Sequence, residues 1–230
     1  MNKWFFLFCT VLFVSGCTSH ASKPAAQPAA AAKEYRAGLH YQRIEPALET
    51  RSSAGRIEVV ALFLYACPHC NELDPKLDEW LKDKSAYVDL RRVPAIVGPP
   101  WADQARVFYT AEKLGILDTA HEAIFSAIHE DGAQFAGERS VLEFFLSQGV
   151  KPADFAGAYT SAEVTASVSQ ARVMTVKTGI RGVPAVIVNG KYRTAQYFTG
   201  SQETLLEVLD MLVEKERLEM TASAKSNPCG

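Results

Sequence analysis

The run Ile57-Glu58-Val59-Val60-Ala61-Leu62-Phe63-Leu64-Tyr65 is apolar at every position but one. Its length and β-branched content suit a strand buried on both faces. Such a strand needs a layer on either side, so the chain is expected to fold as α/β. Pro68 follows at a position suited to the first turn of a helix. Leu73, Leu77, Trp80 and Leu81 then recur at three- and four-residue spacing, a core-facing stripe. Pro75 lies inside that helix and should kink it. Tyr87 to Val93 is the next strand candidate, and strand-helix-strand order makes a parallel pair with a crossover helix.

From Trp101 to Thr178 the pattern is helical, punctuated at Gly115, Gly132, Gly137, Gly149 and Pro152. Four or five helices are expected there, among them Ala102–Leu114, Ser140–Ser147 and Ala162–Thr178. Gly182-Val183-Pro184 then leads into a strand, Ala185 to Val188, and Asn189-Gly190 is a two-residue hairpin turn with Lys191 to Arg193 returning. Leu205 to Leu218 reads as an amphipathic helix, with a frayed tail at 219–230. Leu39 to Ile44 fits a short edge strand. The expected organisation is therefore a β-α-β part at 39–97, a helical insertion at 98–178 and a β-β-α part at 179–218. A net charge of -2 lacks the basic surplus that nucleic-acid binders show.

The first residues read as a leader. Lys3 precedes an apolar stretch from Trp4 to Val14, which has the length of a signal-peptide core and is short for a membrane span. Val14-Ser15-Gly16-Cys17 resembles a bacterial lipobox. That resemblance implies a signal peptide at 1–16 and a lipid on the Cys17 sulfur. The plainer reading is an ordinary secretory leader cut near Gly16. An Ala/Pro/Gln-rich run follows through Ala32, so 17–38 reads as a tether between a membrane and the fold. Either reading carries the chain to a compartment where disulfides persist.

Of the five cysteines, Cys9 falls in the leader, Cys17 at its end and Cys229 in the tail. Cys67 and Cys70 form a C-x-x-C where a buried strand gives way to a helix. Backbone N–H groups of a first helical turn lack intrahelical partners, and aligned peptide dipoles place partial positive charge there. A thiolate at Cys67 is stabilised by both, and protonated His69 adds a nearby charge. Stabilising the thiolate stabilises the dithiol, which makes the disulfide more oxidising. Cys70, deeper in the helix, would resolve a mixed disulfide. A zinc site needs about four ligands, and no second C-x-x-C supplies them. Covalent haem needs histidine after the second cysteine, where Asn71 stands. No cofactor is expected. His121 and His129, in the helical block, read as surface or satisfied core residues. Pro184, ahead of a buried strand, can adopt a cis bond to Val183.

These residues resemble the DsbA family of thiol:disulfide interchange proteins, with lipoprotein-type members suggested by the lipobox. The likeness rests on Phe63-Leu64-Tyr65-Ala66-Cys67-Pro68-His69-Cys70 and on Gly182-Val183-Pro184-Ala185-Val186-Ile187-Val188-Asn189-Gly190-Lys191-Tyr192. It implies a thioredoxin fold with an inserted all-helical domain. It implies further that Cys67 is the nucleophile, Cys70 its partner, His69 the thiolate stabiliser and Pro184 a cis-proline facing the cysteines beside Val183. The clients implied are newly translocated cysteine-containing proteins of the periplasm, and the reoxidant a DsbB-like quinone-linked membrane protein. A reductase or isomerase on the same fold is the runner-up, disfavoured by His69 and Val183. A metal-binding assembly lipoprotein comes third. One departure stands out: many members carry a buried glutamate six residues before the first cysteine, where this chain has Ala61. Glu58, three residues away on the strand, should face the other way. Proton transfer during exchange should then be slower, and Ala61→Glu should raise the exchange rate.

Overall fold

The structure, a computed structural model, describes residues 33–226. The expectations placed on the leader at 1–16, on Cys17, on the tether up to residue 32 and on Cys229 lie outside the described residues. The folded unit takes in Tyr35 onward, a little earlier than the expected start at Leu39. Tyr35 belongs to it because its ring packs on the core and its hydroxyl donates to Glu207.

Five strands form one mixed sheet in the order β1-β5-β4-β2-β3. β2 (Ile57–Phe63) lies parallel to β3 (Val88–Pro94) and antiparallel to β4 (Ala185–Val188). β5 (Tyr192–Ala195) and β1 (Gln42–Arg43) complete the other edge, both pairs antiparallel. The helix α1 (Pro68–Lys82) makes the crossover between β2 and β3, as the strand-helix-strand order requires. It continues through Pro75, whose ring nitrogen has no hydrogen to give the Asn71 carbonyl. Five helices follow β3: α2 (Pro99–Lys113), α3 (Leu117–His129), α4 (Glu138–Ser147), α5 (Pro152–Tyr159) and α6 (Ala162–Thr178). After β5 come the short α7 (Gln196–Thr199) and the long α8 (Gln202–Ser226).

Alternation along β2 sorts its side chains into two layers. Ile57, Val59 and Ala61 join Leu73 and Leu77 of α1 and Leu205, Leu209 and Leu212 of α8. Val60 and Leu62 face the opposite layer with Ala105 of α2 and Ala171 of α6. All of β2 is buried, and each fully covered Leu or Val contributes about 1.5–3 kcal/mol. Glu58 points into the second layer, where it accepts from Arg91 Nε at 3.1 Å and from the Arg51 amide at 3.2 Å. It therefore faces away from Ala61, as alternation requires. Phe63 and Tyr65, at the end of the run, reach into a third cluster with Phe108, Ile124, Phe125 and Phe145. The helical block is thus keyed into the sheet by the residues that lead into the C-x-x-C, rather than standing as a separate body.

Three boundaries differ from expectation. β1 spans only two residues because Gly38 and Leu39 turn back on themselves, with the Gly38 amide donating to Tyr41 O at 2.7 Å. β2 ends at Phe63 rather than Tyr65, since Leu64 O instead accepts from the Cys67 amide at 3.0 Å. The frayed tail expected at 219–230 is helical as far as Ser226, with Met220 packed on the core. No glycine or proline interrupts the chain before Pro228, and Thr221 Oγ1 donates to the Arg217 carbonyl at 2.6 Å. The hairpin turn is as expected: Asn189 and Gly190 have φ of 49° and 66°. A Cβ at Gly190 would lie 2.2 Å from the Leu48 carbonyl oxygen, so only glycine fits. Among the described residues no helix is long and apolar enough to cross a membrane.

Candidate active site

Cys67 caps α1 in an extended conformation, φ -89° and ψ 114°, with Pro68 opening the helix. Proline costs nothing there because its missing N–H would have had no partner. The Cys67 sulfur is half-buried and receives the His69 and Cys70 amides, while Cys70 is 3% exposed. Both are free thiols.

The two sulfurs are driven in opposite directions. Cys67 ionises at about 6, well below the ordinary thiol. The largest cause is the hydrogen bond from the Cys70 thiol; burial opposes it, and the Cys70 and His69 amides and the His69 charge add to it in that order. Burial pushes the Cys70 thiol far up, and its bond to Cys67 and the neighbouring negative charges push it further. One member of the pair is held as an anion and the other as a neutral donor to it.

Sequence reasoning added the charge of protonated His69 to the helix-tip amides and dipole as a stabiliser of the thiolate. Its place in the structure makes the share of that charge the smallest of the favourable ones. The imidazole lies on the rim, 60% exposed, with Nδ1 3.7 Å from a Glu72 carboxylate oxygen. Water screens a charge placed so. Val183 and Pro184 arrive where expected: their bond is cis, and the Val183 carbonyl oxygen is 3.8 Å from Cys67 Sγ. Cys67, Pro68, His69 and Cys70 on one side and Val183 and Pro184 on the other are therefore brought together.

Several residues that sequence reasoning passed over fix this geometry. Gln104 of α2 accepts from the Ala66 amide at 2.8 Å. His129 of α3 contacts the Tyr65 carbonyl through Nε2 at 2.8 Å. Gln202, buried at the start of α8, donates to the His69 carbonyl at 3.1 Å and to Glu72 at 3.0 Å. Lys76 in turn donates to Gln202 Oε1 at 2.7 Å. A second, buried network lies behind Cys70. Tyr65 Oη is 2.7 Å from His121 Nδ1, and Arg92 Nε donates to Asp74 Oδ1 at 2.7 Å. His121 Nε2 lies 3.4 Å from Asp74 Oδ2. Burial works to raise the Asp74 carboxyl, but bonds from His121 and Arg92 overcome it and hold it below its usual range. His121, expected on the surface or as a satisfied core residue, is 8% exposed and buried beside the site. Asp74 was traceable in the sequence, one helical turn from Cys70; nothing local marks Arg92 or His121.

The family described as DSBA-like thioredoxin domain matches residues 85–210. A thiol:disulfide interchange protein DsbA from Azotobacter vinelandii is 35% identical over 208 residues, covering 90% of this chain and 93% of the relative. The crystal structure of Pseudomonas aeruginosa DsbA superposes with a TM-score of 0.75 at 34% identity, covering 83% of this chain and 97% of that one. The oxidoreductase DsbA from Xylella fastidiosa gives a TM-score of 0.72 at 34% identity, covering 78% and 96%.

Proposed function

The chain belongs to the DsbA family of thiol:disulfide interchange proteins, and from that premise we propose that it passes a Cys67–Cys70 disulfide to paired thiols of envelope proteins. It is a thiol-disulfide oxidoreductase; the proposal concerns direction, residues and place. The observation that carries the direction is the contrast between the two sulfurs, Cys67 ionising at about 6 and Cys70 pushed far up. Each unit by which a thiol is depressed is about 1.4 kcal/mol in favour of its anion, or about 30 mV for a two-electron couple.

In the forward reaction a client thiolate attacks Cys67 Sγ, the half-exposed sulfur, and the Cys67–Cys70 bond breaks with its electron pair going to Cys70. A second client thiol, as its thiolate, then attacks the client sulfur of the mixed disulfide. The Cys67 thiolate leaves readily because the helix tip already holds it. Val183, ahead of β4 and beside Cys67, offers its backbone to an extended client segment in the manner of an added strand. Pro68 and His69 shape the approach from the other side.

The place follows from the N-terminal residues: a signal peptide at 1–16, a lipid on Cys17 and a tether would hold the domain at a periplasmic membrane surface. Reoxidation there falls to a quinone-linked membrane protein of the DsbB kind. The described residues fit one folded unit on such a tether, with the helical insertion at 98–178 shaping the site.

Titration of the purified protein against reduced and oxidised glutathione tests the direction. The expected potential lies nearer the about -120 mV of a strong oxidant than the about -270 mV of thioredoxin. A thioredoxin-like value would favour a reductase on the same fold. Mass analysis of Cys17 from the membrane fraction tests the anchor, and an unmodified sulfur would leave only a secretory leader.

A further inference from the structure

The start of α8 is set by Ser201. Its hydroxyl accepts from the Thr204 amide at 3.1 Å and its carbonyl from the Leu205 amide at 3.1 Å, so Gln202 is the first residue of the helix. Three residues further on, Leu205 is buried in the same layer as Leu73, which stands four residues beyond His69 on α1. That packing brings the first turns of the two helices together. Gln202 fills the place where they meet and is 5% exposed.

The partners of the Gln202 amide leave it one orientation. Oε1 accepts from the Lys76 ammonium at 2.7 Å, a group that only donates. Nε2 gives one hydrogen to the His69 carbonyl at 3.1 Å and the other to a Glu72 carboxylate oxygen at 3.0 Å, groups that only accept. A helical carbonyl keeps a second lone pair for such a donor. Packing alone would be served as well by an apolar side chain.

The His69 carbonyl and the Cys70 N–H are the two ends of one planar peptide group. A donor placed on the oxygen draws electron density towards it and leaves the N–H at the far end more positive, as hydrogen bonds in a chain polarise one another. That N–H is shared between the Cys67 carbonyl, at 3.0 Å, and the Cys67 sulfur. We infer that Gln202 is a positioning residue for the redox pair, coupling the charge of Lys76 to the Cys67 sulfur through the His69–Cys70 peptide group. The chain runs from the ammonium through the side-chain amide and the backbone amide to the sulfur. Glu72 occupies the second Nε2 hydrogen and so keeps the first aimed at His69. Lys76 also faces Glu203 at 3.4 Å, and the two side chains are 43% and 73% exposed. Water and that carboxylate weaken the lysine, so the larger share of the effect belongs to Gln202 itself. The inference rests on Cys67 holding the anion, and it applies whichever way the disulfide is passed.

Ultraviolet thiolate titration of the reduced protein, together with equilibration against glutathione, tests the coupling in Gln202→Met, Lys76→Met and the double variant. Methionine keeps most of each unbranched stem and removes its polar end. Gln202→Met should raise the Cys67 midpoint by about 0.3 to 1 unit, the worth of one hydrogen bond. The disulfide should then be held about two- to tenfold more tightly against reduced glutathione. Lys76→Met should move both readings the same way but less far. The double variant should add nothing to Gln202→Met, because the lysine acts through the glutamine. The oxidised form carries no anion, so its melting temperature reports packing alone. An unchanged midpoint in either single variant, whatever both redox forms lose in melting temperature, would overturn the coupling. Shifts that add in the double variant would overturn it too. Should Gln202→Met fail to fold, the half-exposed Lys76→Met still decides by the same criterion. A reducing potential for the wild-type protein would sink the donor reading, while the differences between variants would still judge the coupling.

Discussion

Two networks flank α1. One, formed by His69, Glu72, Gln202 and Lys76, opens to water at the Cys67 end. The other, formed by Tyr65, His121, Asp74 and Arg92, is enclosed behind Cys70. Each contains an imidazole, a carboxylate and a cation. Solvent separates their consequences: His69 and Glu72 are each 60% exposed, while Asp74 and Arg92 are 15% and 21% exposed. In the open network water competes for every charge, so the thiolate depends chiefly on the Cys70 thiol and on backbone amides, which water does not displace. In the enclosed network the same charges act at close range and cannot be removed singly without leaving a partner stranded.

The largest effect should come from breaking the enclosed side. Asp74→Ala leaves Arg92 with Asp78 as its one carboxylate partner among the described residues and is expected to cost about 3 kcal/mol, or roughly 6–12 °C in melting temperature for a chain of this size. A loss below about 1 kcal/mol would show that solvent reaches this pair and that the contrast is overstated.

Next in size is the redox dependence. Folding lowers the Cys67 ionisation to about 6. The dithiol fold therefore gains stability that is complete above the unfolded thiol range and is lost as the pH falls through 6; the disulfide form has no such anion. The reduced protein should melt above the oxidised one near pH 8.5, with the gap closing towards about pH 5. A gap of the opposite sign would show that closing the disulfide stabilises the fold more than the Cys67 anion does.

The smallest effect belongs to the open side. Glu72→Gln should alter stability by less than about 0.5 kcal/mol, read by denaturant midpoint, because exposed ion pairs are worth little. A larger loss would mean that Gln202 binds Glu72 more rigidly than its exposure suggests.

What the sequence made legible follows the same division. The buried strand, the helix start at Pro68, the hairpin at Asn189-Gly190 and the C-x-x-C itself are local patterns, set by period, turn chemistry and caps. So were the faces of β2, and with them the orientation of Glu58 away from Ala61. The enclosed network is assembled from α1, β3, α3 and the loop before α1, so no short window contains it. His121 was set aside as an ordinary helical-block residue because its neighbours in the chain, Ala120 and Glu122, say nothing of Tyr65 or Asp74. Boundaries failed where tertiary contacts outweigh local signals: α8 extends past Leu218 because Met220 still finds the core, and Tyr35 joins the fold through α8. The size of the His69 contribution was not legible for a different reason. Residue type showed a positive charge between two cysteines, but not that the imidazole would stand in water beside Glu72.

The most direct test is ultraviolet thiolate absorbance of the reduced protein across pH, in wild type and in His69→Ser. A single anion titrating near 6, shifted upward by less than about one unit when His69 is lost, is the predicted result. A midpoint in the range of an ordinary exposed thiol, or one that returns there entirely on losing His69, would contradict it. The sulfur would then owe its charge to the imidazole, or have none to owe.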